Sequence, residues 1–322
     1  MFDLHIEKKT TTLDSSQFYD LLVIGGGPAG LNAALYAKRK GLNVAILTKD
    51  IGGQLHNTTE VDNYLGFQLI KGDDLSSAFL THLESLQVPI YRDILIKSLT
   101  YQNPFFQITL ASKRVYQTKT VVLATGGSPR QLGVPGEVTY QQKGVSYCTT
   151  CDAPFFKDKH IIVAGGGNSA AEAILDLVPW AKKITLVHRS QWRADDIVLQ
   201  KVLAISNLSI HLQSQILSVE GNDHFTHINV LDKNTNQAFS IEADGLFIEI
   251  GTIPNNELVK GLVELNQQGE VIVDHRQMTS LPGLFAAGDV THFPHKQIIT
   301  AVAQGAIAAL EANQYINYKE KK

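Results

Sequence analysis

The sequence has little net charge, few cysteines and no long hydrophobic run, and each shortage excludes a class of protein. Its 322 residues include 28 basic and 31 acidic side chains, a formal charge of −3, so no overall positive field draws it to nucleic acid or to an anionic membrane. The longest uncharged stretches, such as residues 297–310, are shorter than the ~18 apolar residues that a transmembrane helix needs. We therefore expect no nucleic-acid partner and no membrane partner.

The N-terminal segment lacks the apolar core of a secretory signal peptide. Residues 1–18 carry scattered charges, which predicts a cytoplasmic protein. The only two cysteines, Cys148 and Cys151, lie three positions apart. In a reducing compartment this spacing indicates a redox or metal-binding function. At ~150 residues per domain, the length predicts about two domains.

Residues 19–47 contain an apolar run, a glycine turn, a helical pattern and a second apolar run, which together predict a β-α-β unit. The turn contains Gly25-x-Gly27-x-x-Gly30. Glycine at these positions allows a tight bend, the close approach of a pyrophosphate and the packing of helix on strand. A glycine-rich turn without a ligand is the alternative, and the strand before the turn and the helix after it argue against that alternative.

A second unit with the same organisation spans residues 160–188 and contains Gly165-x-Gly167-x-x-Ala170. In the first unit, 23 positions separate the first glycine of the turn from the residue just past the second strand. In the second unit, 23 positions separate the first glycine from the residue at the end of the corresponding strand. This shared register predicts two dinucleotide sites on two Rossmann-like folds.

Neither second strand ends in the acidic residue that binds a free adenosine ribose. The second unit instead has Arg189 and Arg193 beyond its strand end. Such a pair suits a 2′-phosphate and therefore NADPH. The alternative for these two arginines is a solvated basic start of a helix.

Two further patterns of a strand followed by a glycine turn lie at residues 120–130 and 283–312. In the second pattern Asp289 follows the strand, and a helix begins soon after it. The N-terminus of that helix favours an anion, such as a reduced flavin ring.

These patterns predict an α/β protein in which the second Rossmann-like domain is inserted into the first. Residues 126–133 and 250–256 contain the glycine and proline of turn sequences, so we interpret them as the joints. The predicted FAD-binding domain comprises residues 1–128 and 255–322. The predicted NAD(P)H-binding domain, which carries the cysteines, comprises residues 129–254.

The spacing of Cys148 and Cys151 is typical of a dithiol that attacks a partner disulfide, because it lowers the pKa of at least one thiol. Half of a zinc site is one alternative, but the sequence has no third cysteine and no suitable histidine pair to complete it, so we expect no metal. An inert buried pair is the other alternative. Asp152 follows the second cysteine and is the candidate acid for a leaving thiolate, its alternative being a surface or capping role.

Seven motifs resemble one group of flavoproteins over nearly the whole chain: GGGPAG, GGQLHNTTEVDNYLGF, ATGGSPR, CTTCD, GGGNSA, HR-x-x-x-R, and AAGDV followed by KQI. The sequence resembles the low-molecular-weight thioredoxin reductases of bacteria and archaea. The flavoprotein subunit of alkyl hydroperoxide reductase shares this core, and GGNSAAEA and HKQIITA resemble it at least as closely. That subunit carries an extra N-terminal domain, whereas about 18 residues precede the first strand here, which favours the reductase.

The resemblance implies cofactor contacts at the residues that match the motifs of the family. FAD would contact Gly25, Gly27, Pro28, Ala29, Gly30, Gly53, Gln54, Leu55, Asn63, Gly126, Asp289, Gln297 and Ile298. NADPH would contact Gly165, Gly167, Asn168, Ser169, Ala170, His188, Arg189 and Arg193. The family pattern HRRxxxRA is one residue shorter here and lacks its second adjacent arginine, which predicts a weaker hold on the phosphate.

The resemblance also implies a homodimer in which Cys151 lies against the flavin and Cys148 attacks the disulfide of thioredoxin. We therefore predict a thioredoxin-disulfide reductase that passes electrons from NADPH through FAD and this dithiol. The alternatives are a different donor, ferredoxin or NADH, an FAD-dependent dithiol oxidase, and a redox-sensing binding module without turnover. The retained glycine turn with its arginines favours a nucleotide donor, and a sensor has no need of Asp152.

Overall fold

The computed structural model describes residues 17–58 and 60–319. The predictions for the N-terminal segment, including the expectation that it is not a signal peptide, rest almost entirely on residues outside these ranges. The chain forms two compact units. The first contains the described residues up to His56, Ile70–Ser128 and the residues from Pro254 onward, and the second contains Asn57–Leu69 and Pro129–Ile253.

The described residues combine α-helices with β-strands, and two long runs of strands, β5 to β10 and β13 to β18, contain no helix. The strands are β1 (Phe18–Ile24), β2 (Val44–Leu47), β3 (Glu60–Val61), β4 (Ile70–Lys71), β5 (Ile90–Tyr91), β6 (Ile96–Gln102), β7 (Phe105–Leu110), β8 (Val115–Leu123), β9 (Gly127–Pro129), β10 (Val145–Ser146), β11 (His160–Ala164), β12 (Lys183–Val187), β13 (Leu208–His211), β14 (Ser214–Gly221), β15 (Phe225–Asp232), β16 (Gln237–Glu242), β17 (Gly245–Ile248), β18 (Thr252–Pro254) and β19 (Leu284–Ala286). The helices are α1 (Pro28–Arg39), α2 (Gly72–Ser85), α3 (Thr149–Asp152), α4 (Asn168–Leu177), α5 (Asp196–Leu203) and α6 (Ile298–Lys319), with short 3-10 helices at Gly53–Asn57, Ala153–Phe156 and Glu257–Val259. Over the described residues, no helix is long and apolar enough to cross a membrane.

The first unit is built on a seven-stranded sheet in the order β5-β2-β1-β8-β7-β6, with β19 also paired to β8. Strands β5, β2, β1, β8 and β19 are parallel, and β7 and β6 are antiparallel to their neighbours. Successive side chains of β1 enter two different hydrophobic clusters, with Leu22 and Ile24 in one and Leu21 and Val23 in the other. Because both faces are covered, the second half of the strand, residues 21–24, is a continuous apolar run.

Helices α1 and α6 pack closely against each other on one side of this sheet. A Cβ at Gly305 in α6 would lie 2.0 Å from the backbone oxygen of Ala29 in α1, so glycine is required at this contact. Pro28 occupies the first turn of α1, where proline is favourable, and Ala33, Ala34 and other small residues of α1 are buried. This contact fixes the position of the glycine turn that precedes α1.

The second unit is built on a five-stranded parallel sheet in the order β10-β17-β11-β12-β13, beside an antiparallel sheet of β14, β15 and β16. Here too, alternate side chains enter two clusters, with Ile161 and Val163 of β11 in one and Ile162 and Ala164 in the other. Each unit has the parallel sheet and flanking helices of a Rossmann-like domain, and the second is inserted into the first. The predicted α/β fold class is therefore confirmed.

The chain crosses between the units at four points, and two of these crossings, after Ser128 and after Ile253, lie inside the predicted joints. There β9 and β18 pair as a two-stranded sheet. One segment differs from the predicted boundaries, because Asn57–Leu69 groups with the second unit while the sequence places it in the FAD-binding domain. Within the second unit the charge of Asp62, in this segment, raises the pKa of Asp152, which agrees with the grouping.

Candidate active site

Cys148 and Cys151 form a disulfide, with an S–S distance of 2.07 Å. Cys148 is the N-cap of α3, and its Sγ accepts a hydrogen bond from the backbone N–H of Cys151 at 3.2 Å. Both cysteines are half-buried, and Thr150 between them is exposed. The disulfide ring is therefore held by the second unit and open to solvent on one side.

Asp152, the predicted acid, ends α3 beside this disulfide. Burial raises the pKa of Asp152, a hydrogen bond from Ser146 lowers it, and the charge of Asp62 raises it, with a net shift upward. The Ser146 hydroxyl also accepts a hydrogen bond from the backbone N–H of Cys148 at 3.1 Å. Asp152 thus keeps its proton to a higher pH than a free aspartate does, which suits a proton donor to a leaving thiolate.

The second glycine turn follows β11 in the same unit. A Cβ at Gly165, which has a φ of +153°, would lie 2.3 Å from the backbone oxygen of Glu249 and 2.8 Å from Cβ of Ala170. Gly167 differs, because a Cβ there would meet nothing within 4 Å. Gly167 is the N-cap of α4, and the space beside it is open to a ligand that approaches the N-terminus of this helix. The turn therefore fits the pyrophosphate of a dinucleotide.

Positive charge collects at the end of β12, beyond the predicted nucleotide contact His188. The His188 ring is buried beneath Gly166, where a Cβ would lie 2.2 Å from the ring. Burial lowers the pKa of His188, and the charges of Arg193, Arg189 and Lys233 lower it further. The imidazole is therefore neutral at neutral pH, and the charge comes from three exposed cations. Lys233 donates a hydrogen bond from Nζ to the backbone oxygen of Arg189 at 3.2 Å.

The loop that carries Arg189 and Arg193 is fastened to the glycine turn. Asn168 Nδ2 donates to Asp195 Oδ2 at 2.8 Å, and the Asp195 N–H donates to Asn168 Oδ1 at 2.8 Å. The backbone N–H of Arg193 donates to the oxygen of Gly166 at 2.7 Å. These bonds place Arg193 beside the exposed first turn of α4, which includes the predicted contact Ser169.

The first glycine turn, in the first unit, has the same construction. Gly25 has a φ of +116°, and a Cβ there would lie 2.1 Å from the backbone oxygen of Ala124, the residue after β8. A Cβ at Gly30 would lie 2.0 Å from the oxygen of Gly25. At Gly27, the N-cap of α1, a Cβ would meet nothing within 4 Å. Pro28 and the buried Ala29 begin the helix, so this turn also fits the pyrophosphate of a dinucleotide.

Four further predicted FAD contacts lie around this turn. Three of them form the start of the short helix Gly53–Asn57, and a Cβ at Gly53 would lie 3.4 Å from Cα of Gly27. The side-chain amide of Gln54 donates to the backbone oxygen of Gly127. The neighbouring Gly126 has a φ of +70° and no atom within 4 Å of a Cβ built on it, and Leu55 is buried.

Asp289 lies between the end of β19 and the start of α6, as the sequence predicts. Burial raises the pKa of Asp289, and the charge of Lys296 lowers it. The backbone N–H of Gly288, which precedes Asp289, donates to Oε1 of Gln304 in α6 at 2.7 Å. The predicted contacts Gln297 and Ile298 lie at the start of α6.

The first unit thus brings together every predicted FAD contact except Asn63, which lies on the segment Asn57–Leu69 of the second unit. The second unit brings together the cysteines, Asp152 and all the predicted NADPH contacts. Three groups of the second unit that contact the site are not indicated by the sequence patterns: Ser146 beside Asp152, Lys233 beside the arginines, and Glu249, whose carboxylate contacts Thr149 between the cysteines.

The sequence and the fold are both similar to those of known proteins. The sequence matches the family described as pyridine nucleotide-disulphide oxidoreductase over residues 19–305. A subunit of the alkyl hydroperoxide reductase of Staphylococcus aureus is 37% identical to the chain over 317 residues, which cover 97% of this chain and 62% of that protein. The chain therefore spans less than two-thirds of the length of this relative.

Two solved structures share the fold. Thioredoxin reductase from Streptococcus pyogenes has a TM-score of 0.89 and 38% identity, covering 94% of this chain and 99% of that one. Thioredoxin reductase from Giardia duodenalis has a TM-score of 0.88 and 29% identity, also covering 94% of this chain and 99% of that one. These likenesses confirm the resemblance that the motifs indicated.

Proposed function

The chain belongs to the pyridine nucleotide-disulphide oxidoreductase family, and from this premise we propose that it is an FAD-dependent reductase that uses NADPH to reduce thioredoxin or a thioredoxin-like protein. The observation that carries the proposal is the Cys148–Cys151 disulfide beside Asp152, an acid whose pKa is raised, in a unit that also contains a nucleotide turn. The similar thioredoxin reductase structures support the choice of partner.

In the proposed exchange, the Cys148 thiolate attacks the disulfide of the partner and forms a mixed disulfide. Cys151 then attacks the Cys148 sulfur, which restores the Cys148–Cys151 disulfide and releases the partner as a dithiol. Two electrons leave the enzyme dithiol and reach the partner, and Asp152 supplies a proton to a leaving thiolate. When bound, the nucleotide and FAD supply the hydride and electron-transfer chemistry that reduces the enzyme disulfide again.

The proposal is tested by mixing the FAD-loaded protein anaerobically with NADPH or NADH, and then with thioredoxins. Rapid bleaching of the flavin by NADPH, followed by turnover with thioredoxin, is the expected result. Faster bleaching by NADH would change the assigned donor. No bleaching by either nucleotide would favour ferredoxin as donor or a dithiol oxidase.

A second candidate partner is a component of a hydroperoxide-reducing system, favoured by the 37% identity to the alkyl hydroperoxide reductase of Staphylococcus aureus. The same NADPH-reduced enzyme distinguishes the two. Turnover that requires a peroxidase component and does not respond to thioredoxin would assign this second function.

Asp152→Asn should slow the reduction of thioredoxin about 10²-fold or more. Only the protonated carboxyl donates, so the wild-type rate falls as the pH rises through the raised pKa of Asp152. The variant should lose this part of the pH profile. Single-turnover reduction by pre-reduced enzyme measures it, with the exposed Asp158→Asn as the matched control. An unaltered profile in Asp152→Asn would remove this residue from the mechanism.

Lys233 compensates, in our proposal, for the arginine that the family pattern has and this chain lacks. Lys233→Ala should weaken NADP⁺ binding about tenfold, because one exposed charge-assisted phosphate contact is lost, and should leave NAD⁺ binding unchanged. Calorimetric titration of the FAD-loaded protein with each nucleotide measures both affinities. Lys182→Ala, beyond the opposite end of β12, is the control. Equal loss of both nucleotides would show that Lys233 does not contact the 2′-phosphate.

A further inference from the structure

Glu249 lies directly after β17 and reaches into the turn between the two cysteines. Its Oε1 accepts a hydrogen bond from the Thr149 hydroxyl at 2.6 Å and from the Thr149 backbone N–H at 3.2 Å. Thr149 is itself buried. No motif of the sequence points to Glu249, because it lies 100 positions from Thr149.

The surroundings of Glu249 disfavour a negative charge. Burial raises the pKa of Glu249 to about 7, although the two hydrogen bonds from Thr149 lower it, and the charges of Asp176 and Glu172 on α4 raise it further. Among the ion pairs of the described residues, none joins Glu249 to a lysine or arginine. A buried acid without a cation partner costs stability. A role at the redox turn that Glu249 contacts therefore explains its presence better than a contribution to the stability of the fold.

The contact reaches both sulfurs through Thr149. Thr149 is the first residue of α3, Cys148 is the N-cap of that helix, and the Cys151 N–H donates to the Cys148 sulfur. Holding the hydroxyl and the N–H of Thr149 therefore restricts the short chain segment that separates the two cysteines. The backbone of Glu249 is fixed in turn, because its N–H donates to the oxygen of Ala164 at 2.8 Å.

We propose that Glu249 is a positioning residue for the Cys148–Cys151 pair, which it keeps close by holding Thr149. Restricting the segment between two thiols raises their effective concentration and favours the disulfide. Loss of the Glu249 contact should therefore shift the equilibrium toward the dithiol. The inference rests on the proposed function only in taking this pair as the redox-active one.

The test measures the exchange of the enzyme disulfide with dithiothreitol. Each dithiothreitol that is oxidised to its cyclic disulfide gives two electrons and two protons to one Cys148–Cys151 disulfide. The FAD-loaded protein is equilibrated anaerobically at pH 8, above the pKa of about 7 of Glu249, in buffers of reduced and oxidised dithiothreitol. Alkylation and mass spectrometry count the thiols, and the flavin spectrum counts electrons held by FAD. Neither a nucleotide nor thioredoxin is present, so an error in the proposed donor or partner does not affect the result.

Glu249→Ala should lower the equilibrium constant for disulfide formation about tenfold, because two hydrogen bonds are lost. Glu249→Gln keeps an oxygen that accepts both bonds and should stay within about threefold of the wild type. Thr149→Val, which lacks the hydroxyl, should shift the constant in the same direction as Glu249→Ala, and Thr149→Ser should not.

A constant for Glu249→Ala within twofold of the wild-type value would overturn the proposal. If Glu249→Ala does not fold, the Thr149 pair decides, since equal constants for Thr149→Val and Thr149→Ser would also overturn it. If the wild-type disulfide does not exchange at all, the failure belongs to the proposed function and not to the role of Glu249.

Discussion

Serine in place of Cys148 or of Cys151 should reduce turnover with thioredoxin by at least about 10³-fold, because the two sulfurs act as one unit. Binding of FAD and of the nucleotide should be unchanged, since both glycine turns lie apart from the cysteines in sequence and neither uses a sulfur. The two variants should nevertheless behave differently when they meet a partner disulfide, and this difference assigns a role to each sulfur.

The difference is measured with a thioredoxin that has lost its second cysteine and carries a thionitrobenzoate group on the first. Cys151→Ser should release thionitrobenzoate and accumulate a stable mixed disulfide through Cys148, because the resolving thiol is absent. Cys148→Ser should form this complex far more slowly. Faster trapping by Cys148→Ser would reverse the two roles. Normal turnover by either variant would remove the dithiol from the mechanism.

The features that the sequence analysis predicted correctly are those whose signal is local. Each glycine turn lies between a strand and a helix that directly adjoin it, and the apolar runs of β1 and β11 follow from burial on both faces. The equal spacing in the two units revealed the repeated fold without any knowledge of long-range contacts. The two cysteines were identified for the same reason, since three positions separate them.

The features that were missed depend on contacts between distant segments. Lys233 lies 44 positions from Arg189, on the turn that joins β15 to β16, and looks like any solvated lysine. Glu249 follows an interior strand of the five-stranded sheet, and only the parallel pairing of β17 with β10 and β11 brings it to the cysteine turn. Segment Asn57–Leu69 was assigned to the neighbouring unit because the sequence around it has no boundary signal.

Alanine in place of Gly27 or of Gly167 should weaken the binding of one cofactor in each case while leaving the fold intact. Both residues have an ordinary negative φ, −78° and −102°, and a Cβ at either position meets no protein atom within 4 Å. The added methyl group would instead occupy the space that the pyrophosphate needs. Overpacking of this kind costs ~1–3 kcal/mol, so we expect affinity to fall by up to about 10²-fold. Gly27→Ala should lose FAD affinity, and Gly167→Ala should bind FAD normally but lose nucleotide affinity.

The matched controls place the same methyl group one position earlier. A Cβ at Gly26 would lie 2.4 Å from the backbone oxygen of Asp50, and a Cβ at Gly166 would lie 2.2 Å from the His188 ring. Gly26→Ala and Gly166→Ala should therefore lower the Tm of the apoprotein, because the methyl group collides with the protein itself. Gly27→Ala and Gly167→Ala should leave that Tm unchanged, and titration with FAD and with NADP⁺ should separate them. Normal FAD affinity in a folded Gly27→Ala protein would show that the pyrophosphate does not lie on the first turn.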